Sequence, residues 1–275
     1  MRKNGENLSS VLSLDRRKVV KYLDGLKGKL NKKSILYLYS LLFRQTEDVR
    51  DRVLQTVIDY TCKTAKYDKL LEPFIFLGLN DNEDAFYVAE AIPFIRDKQV
   101  KFSLCVALLN HKDDLVRVNA VENLYEFSNP MIAGLLEDKI SDKDALVRSF
   151  AVYGLAMQKS TKSVKLILKQ LQKERSPMAK VNMFGALFVL TRDYTWYDKM
   201  IKSLSYKNHL APMQVRYGIG LAIDRGILNK NRAVQDLKAN LGKIKTIAAS
   251  GTIATYIKSL KNKRKDDIKL TKIKL

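Results

Sequence analysis

Four lysines, Lys162, Lys165, Lys169 and Lys173, recur three and four residues apart. On a helix that spacing puts four ammonium groups on one face, opposite Val164, Ile167, Leu168 and Leu171. Lys199 and Lys202, followed by Tyr206 and Lys207, repeat the arrangement some thirty residues later. A row of this kind attracts phosphates or carboxylates without holding any one of them in a fixed geometry; base-specific reading calls for Arg, Asn and Gln instead. A second kind of spacing joins Asp113 to Arg117 and Asp144 to Arg148. There the Asp suits a helix cap and the forked Arg suits a carboxylate partner. Third, the run 193–198 (DYTWYD) gathers two carboxylates with Tyr194, Trp196 and Tyr197, aromatic side chains able to anchor a partner.

Catalytic and metal chemistry find less to work with. His111 and His209 are the only histidines, neither is followed by Glu, and no HExxH, paired CxxC or EF-loop pattern occurs. No Walker or dinucleotide-binding glycine motif is present. Cys62 and Cys105 are far apart, each inside an apolar stretch, and read as buried thiols. No catalytic residue, metal ligand or cofactor is therefore assigned, and a non-enzymatic role is the expectation.

The elements that must position these residues repeat. DDLVRVNAVENL (113–124) and DALVRSFAVYGL (144–155) align without a gap at an offset of 31. SPMAKVNMFGAL (176–187) comes 32 residues later with Lys180 in the Arg place, and APMQVRYGIGLA (211–222) reads as a further copy with Arg216 roughly in register. Upstream, 46–57 supplies Arg50, and 82–93 has Phe86 where the basic residue should be. Second helical stretches at 131–138 and 164–174 lie between copies. Two helices per unit of about thirty residues is the pattern of an α-solenoid. The Asp-x-x-Val-Arg opening at 144–148 and its counterpart at 113–117 resemble HEAT repeats, over roughly 46–224. That resemblance implies an all-α, right-handed α-α superhelix in which the Asp and Arg of each copy (Asp113, Arg117, Asp144, Arg148) bond between neighbouring repeats. Residues 1–45 are expected to form N-terminal capping helices (15–30 and 34–43), 46–242 the repeats, and 243–275 a capping helix (243–260) and a basic tail. Run 193–198 is also loosely similar to HEAT-like alkylpurine DNA glycosylases. That likeness makes Asp193 or Asp198 a catalytic alternative, although those enzymes have several tryptophans and this chain has one.

Charge then separates the ends from the middle. The 275 residues carry a net +21, of which 159–275 holds +19 (26 basic against 7 acidic residues), 46–158 is mildly acidic and 1–45 is basic. Segregated basicity points to a partner of dense negative charge. Nucleic acid, DNA or RNA, bound with weak sequence preference is the first expectation, and an acidic protein held by a scaffold is the alternative. Lys165, Lys169 and Lys199 on an inner, concave face would favour nucleic acid; on the outer face they favour the scaffold. Twelve glycines and five prolines are too few for the turns of a β-rich chain of this size. No apolar run approaches a membrane span and no signal peptide precedes the first helix, so a cytoplasmic protein is expected, of unassigned oligomeric state.

Overall fold

The structure, a computed structural model, describes 85–262 apart from Arg96 and His209, the pair 273–274, and six isolated helical positions before residue 57. Apart from those six positions, the proposed helices at 15–30 and 34–43 and the copy containing Arg50 lie outside the described residues, as do Cys62 and most of the basic tail.

From residue 85 onward, the described residues form eleven α-helices: α1 (Ala85–Ala91), α2 (Lys98–Leu108), α3 (Asp114–Leu124), α4 (Pro130–Lys139), α5 (Ala145–Met157), α6 (Val164–Lys173), α7 (Pro177–Thr191), α8 (Tyr194–Lys202), α9 (Leu210–Asp224), α10 (Lys230–Leu241) and α11 (Ile247–Asn262). A two-residue parallel pairing of Phe127–Ser128 (β1) with Ile273–Lys274 (β2) is the one strand contact among the described residues. The fold is all-α. The chain divides into two compact units, Met1–Ala120 and Val121–Leu275.

Side-chain caps set the period. Asp113, Asp144, Ser176 and Asn208 accept hydrogen bonds from backbone N–H groups in the first turns of α3, α5, α7 and α9, so the even spacing of 31, 32 and 32 residues is written in N-caps. Asp97, Asn129, Asp193 and Asn229 do the same for α2, α4, α8 and α10. The last helix starts at Ile247, later than the expected 243, because Gly242 ends α10 and Thr246 caps α11. The caps also correct one alignment. Counting four residues from each cap gives Arg117, Arg148, Lys180 and then Pro212, so Arg216 sits one helical turn beyond the place assigned to it.

In the first unit, α1 packs on α2, and Cys105 is buried in α2. At the start of α3, Arg117 donates from Nη1 to the carbonyls of His111 and Lys112 (2.8 and 3.0 Å), holding the turn before the helix.

The second unit has two rows. Helices α5, α7, α9 and α11 pack successively against one another, while α4, α6, α8 and α10 each lie mainly on a member of that row. The row of α5, α7, α9 and α11, whose members pack directly on one another, is called the inner row and the other the outer row; α5 and α9 also touch past α7. Enclosed on all sides, α7 is apolar around its whole circumference, with eleven of its fifteen residues buried, the pattern of a core helix rather than a surface one. Gly185 and Gly218 let α7 and α9 approach closely: a Cβ on either would come within 2.9 Å of the other's Cα, and Met200 from α8 fills the space beside them.

Candidate partner-binding faces

Polar bonds between repeats begin with Arg148. Its Nη1 donates to the carbonyls of Asp142 and Lys143 (2.7 and 3.0 Å), repeating the turn made by Arg117. Its Nε and Nη2 grip Glu174 in two 2.7 Å bonds. Glu174 lies one repeat further on, and it also accepts from the N–H groups of Arg175 and Ser176. Burial alone would raise the Glu174 pKa. The Arg148 and Ser176 donors outweigh that and hold it below its ordinary value. Equivalent places bond directly as well: Asn182, six residues past the α7 cap, donates to Gln214, six past the α9 cap, at 3.1 Å.

The lysines occupy the other row. Lys162 stands in the short 3₁₀ turn before α6; Lys165, Lys169 and Lys173 lie along α6 itself, and all four are exposed. Ile167 is the buried residue of that helix, with Val164, Leu168 and Leu171 half-buried beside it. Lys199 and Lys202 are exposed on α8, Lys207 is exposed past its end, and Tyr206 is half-buried there. The stripe therefore runs over consecutive helices of the outer row, and the inner row has no part in it. Three nearby acids have other partners as well: Glu174 is gripped by Arg148, Asp236 accepts the Tyr197 hydroxyl at 2.7 Å, and Asp193 caps α8 while also feeling the charge of Lys199; Asp198 is exposed on α8 beside Lys199. Farther along, a hydrogen-bonding contact with Lys238, and then its charge, lowers the pKa of Lys261 on α11. Basic groups thus crowd one another there as well.

The aromatic run is engaged with its neighbours to different degrees: Tyr194 is exposed, Trp196 half-buried and Tyr197 buried. Tyr197 is 1% exposed and spends its hydroxyl on Asp236, so it is not the surface anchor its position suggested. Its apolar neighbours on α7 draw it inward, with Phe188 at 5.2 Å. Trp196 stacks on Phe184 at 6.2 Å and carries the Lys199 ammonium 4.3 Å above its ring. Tyr194 packs on Phe188, lies under the Arg232 guanidinium at 4.4 Å, and donates to the Ile227 carbonyl. These side chains tie α7, α8 and α10 together. Of the two carboxylates in the glycosylase alternative, Asp193 is a helix cap whose pKa is lowered by the hydrogen bonds from Thr195, and Asp198 is exposed on α8.

The inner row holds groups that the sequence did not single out. Tyr125, Tyr153 and Tyr217 meet edge to face at 5.3 and 5.6 Å, and Phe150 joins Tyr217 at 6.3 Å. Arg225, just past the end of α9, reaches across to the Met157 carbonyl at the end of α5. Tyr153 and Tyr217 each stand nine residues past their caps, Asp144 and Asn208, so these two do keep the repeat spacing, whereas Tyr125 and Phe150 fall at other places in their units.

Residues 103–181 match the family model described as HEAT repeats. This part of the chain consists of HEAT repeats. The match runs from α2 into α7, covering the copies with the clearest caps and both Arg turns. No curated protein is similar enough to match the chain. HEAT repeats form a helical scaffold typically used for binding. Among the described residues no helix is long and apolar enough to cross a membrane.

Proposed function

We propose that this HEAT-repeat chain is a non-enzymatic scaffold that docks an acidic protein partner on its outer lysine face, around Lys162, Lys165, Lys169, Lys173, Lys199 and Lys202. The observation that carries this reading is the placement of the lysines on α6 and α8, in the outer row. We take the outer row as the convex side of the stack, and such a face would meet a straight nucleic-acid duplex along a short line, so few phosphates would be neutralised at once. A protein surface can shape itself to the face and present carboxylates at the spacing of the stripe. The aromatic side chains support the same choice, because stacking on open rings is what strengthens binding to single strands, and Trp196, Tyr194 and Tyr197 are already engaged.

The nucleic-acid reading differs in a measurable slope. Affinity for a 24-base-pair duplex, followed by fluorescence anisotropy from 20 to 200 mM salt, is expected to fall with a log–log slope of about −2 to −3, the loss of two or three phosphate contacts. A slope of about −6 or steeper, with binding that survives at 150 mM salt, makes nucleic acid the partner instead. In the protein arm, an acidic protein co-purifying stoichiometrically with the wild type is expected to be lost from Lys165→Glu/Lys169→Glu/Lys199→Glu. Its retention by that variant overturns the lysine face.

A further inference from the structure

Between α9 and α11, on the inner row and away from the lysine face, lies an open cleft of about 510 Å³. Arg216, Tyr256, Thr252, Thr255, Gly251 and Ile247 are among the residues that line it. Two features set it apart from an ordinary gap between helices. Arg216 Nε and Tyr256 Oη are both buried and meet no hydrogen-bond partner among the described residues. Leaving two such groups unmatched is costly. The Arg216 guanidinium is held by its neighbour Tyr217, whose hydroxyl accepts from Nη2 at 3.2 Å and whose ring lies 4.9 Å beneath the guanidinium carbon. Gly220 leaves room for the Tyr256 hydroxyl, which stands 3.4 Å from where a Cβ would be. At the rim, Ile247 is 94% exposed, the most exposed large apolar residue among those described.

The unmatched groups define what fits. An N–H and a phenolic O–H are both available to donate, so the missing partner supplies acceptor oxygens. Thr252 and Ser259 spend their hydroxyl hydrogens on carbonyls of their own helix and keep lone pairs only. The charge is small: one guanidinium, with the carboxylate of Asp224 near enough to act on Tyr256. That balance suits a monoanion and disfavours a phosphate dianion. Next to the polar end, Ile247, Ala248 and Gly251 make an apolar wall.

We infer that the α9–α11 cleft binds a monocarboxylate carried on a short apolar stem, with Arg216 Nε and Tyr256 Oη donating to the carboxylate and Ile247 covering the stem. This site is independent of the lysine face. Its chemistry is met by a small branched-chain acid or by the C-terminal carboxylate of a peptide ending in an aliphatic residue.

Two probes separate these sources: 4-methylpentanoate, and N-acetyl-Gly-Gly-Leu with a free or an amidated C-terminus, each titrated against the full chain by saturation-transfer NMR. Saturable binding of at least one carboxylate, with a Kd on the order of 1 mM or tighter, is expected for a ligand of this size. The amide is expected to bind at least tenfold more weakly. Stronger binding by the free-terminus peptide assigns the site to a partner's chain end; stronger binding by 4-methylpentanoate assigns it to a small ligand. Arg216→Gln is expected to cost at least tenfold. Because that change could disturb α9, Gly251→Leu provides a second check. Gly251 is exposed on the cleft wall with nothing within 4 Å of its added Cβ, so Leu fills the cleft without loss of packing and is expected to abolish binding. Absence of saturable binding to both acids, equal binding of acid and amide, tighter binding of inorganic phosphate, or undiminished binding in Gly251→Leu overturns the inference.

Discussion

The ion pair between Arg148 and Glu174 shows how much one residue can contribute to joining repeats. The Glu174 side chain is fully buried and that of Arg148 is 13% exposed. Removing one partner strands the other charge, at a cost of about 3 kcal/mol. Glu174→Gln is expected to lower the denaturation midpoint accordingly, and Arg148→Met combined with it is expected to cost less than the two single changes added together. The pH dependence has a definite sign. Glu174 titrates below its ordinary value when folded, so its contribution is present above pH 4.5 and fades as pH falls through the folded pKa; the Gln variant lacks that acid-side loss. The alkaline side behaves inversely. Burial first, then the charge of Asp224, pushes Tyr153 up to about 12 from 10.0, and burial likewise raises Tyr125, Tyr197 and Tyr256. A raised phenol stabilises the fold below pH 10, and that contribution is lost as pH climbs toward 12. Absorbance at 295 nm is expected to show these four among the thirteen tyrosines ionising late, with Tyr153→Phe reducing the alkaline loss of stability.

At the scale of the element, what was legible in the sequence is what is local. The caps Asp113, Asp144 and Ser176 stand one repeat apart, and the apolar spacing of α6 reflects the 3.6-residue turn. Arg216 misled because it stands beside a Val in a stretch composed like a helix opening, although the true cap, Asn208, lies eight residues before it. Tyr197 misled for a related reason: its exposure depends on where Phe188 and Asp236 arrive from other helices, which no window of sequence records. The cleft between α9 and α11 was illegible on the same grounds, since its two donors are forty residues apart. Two helix positions give opposing stability tests. Gly218→Ala places a methyl group 2.5 Å from the Met200 sulphur and 2.9 Å from the Gly185 Cα, and is expected to cost about 1–3 kcal/mol by overpacking. Arg192 ends α7 in the left-handed conformation at φ 61°, where a side chain is disfavoured by about 1 kcal/mol. Arg192→Gly is expected to recover up to that amount in chemical denaturation.

For the whole molecule the decisive quantity is charge left without counter-charge. Lys165, Lys169 and Lys173 recur at i, i+4 spacing, where like charges each cost a few tenths of a kcal/mol; a net +21 adds a diffuse self-repulsion. A chain that retained these lysines only for solubility would gain from alternating them with acids. Replacing Lys165, Lys169 and Lys199 by Glu lowers the net charge by six and sets one carboxylate on α6 four residues before Lys173, although positions 165 and 169 remain a like-charge pair. If the stripe is a docking face, stability and binding should move apart: the triple variant keeps or raises its Tm at 20 mM salt while losing its acidic partner. The wild type, by contrast, should gain a few degrees between 20 and 150 mM salt as screening relieves the repulsion, and the variant should gain little. Calorimetry at the two salt concentrations checks this. A Tm that falls in the variant at low salt, or a wild type indifferent to salt, would mean the lysines are already compensated within the fold, and the outer face would then have no unmet charge with which to hold a partner.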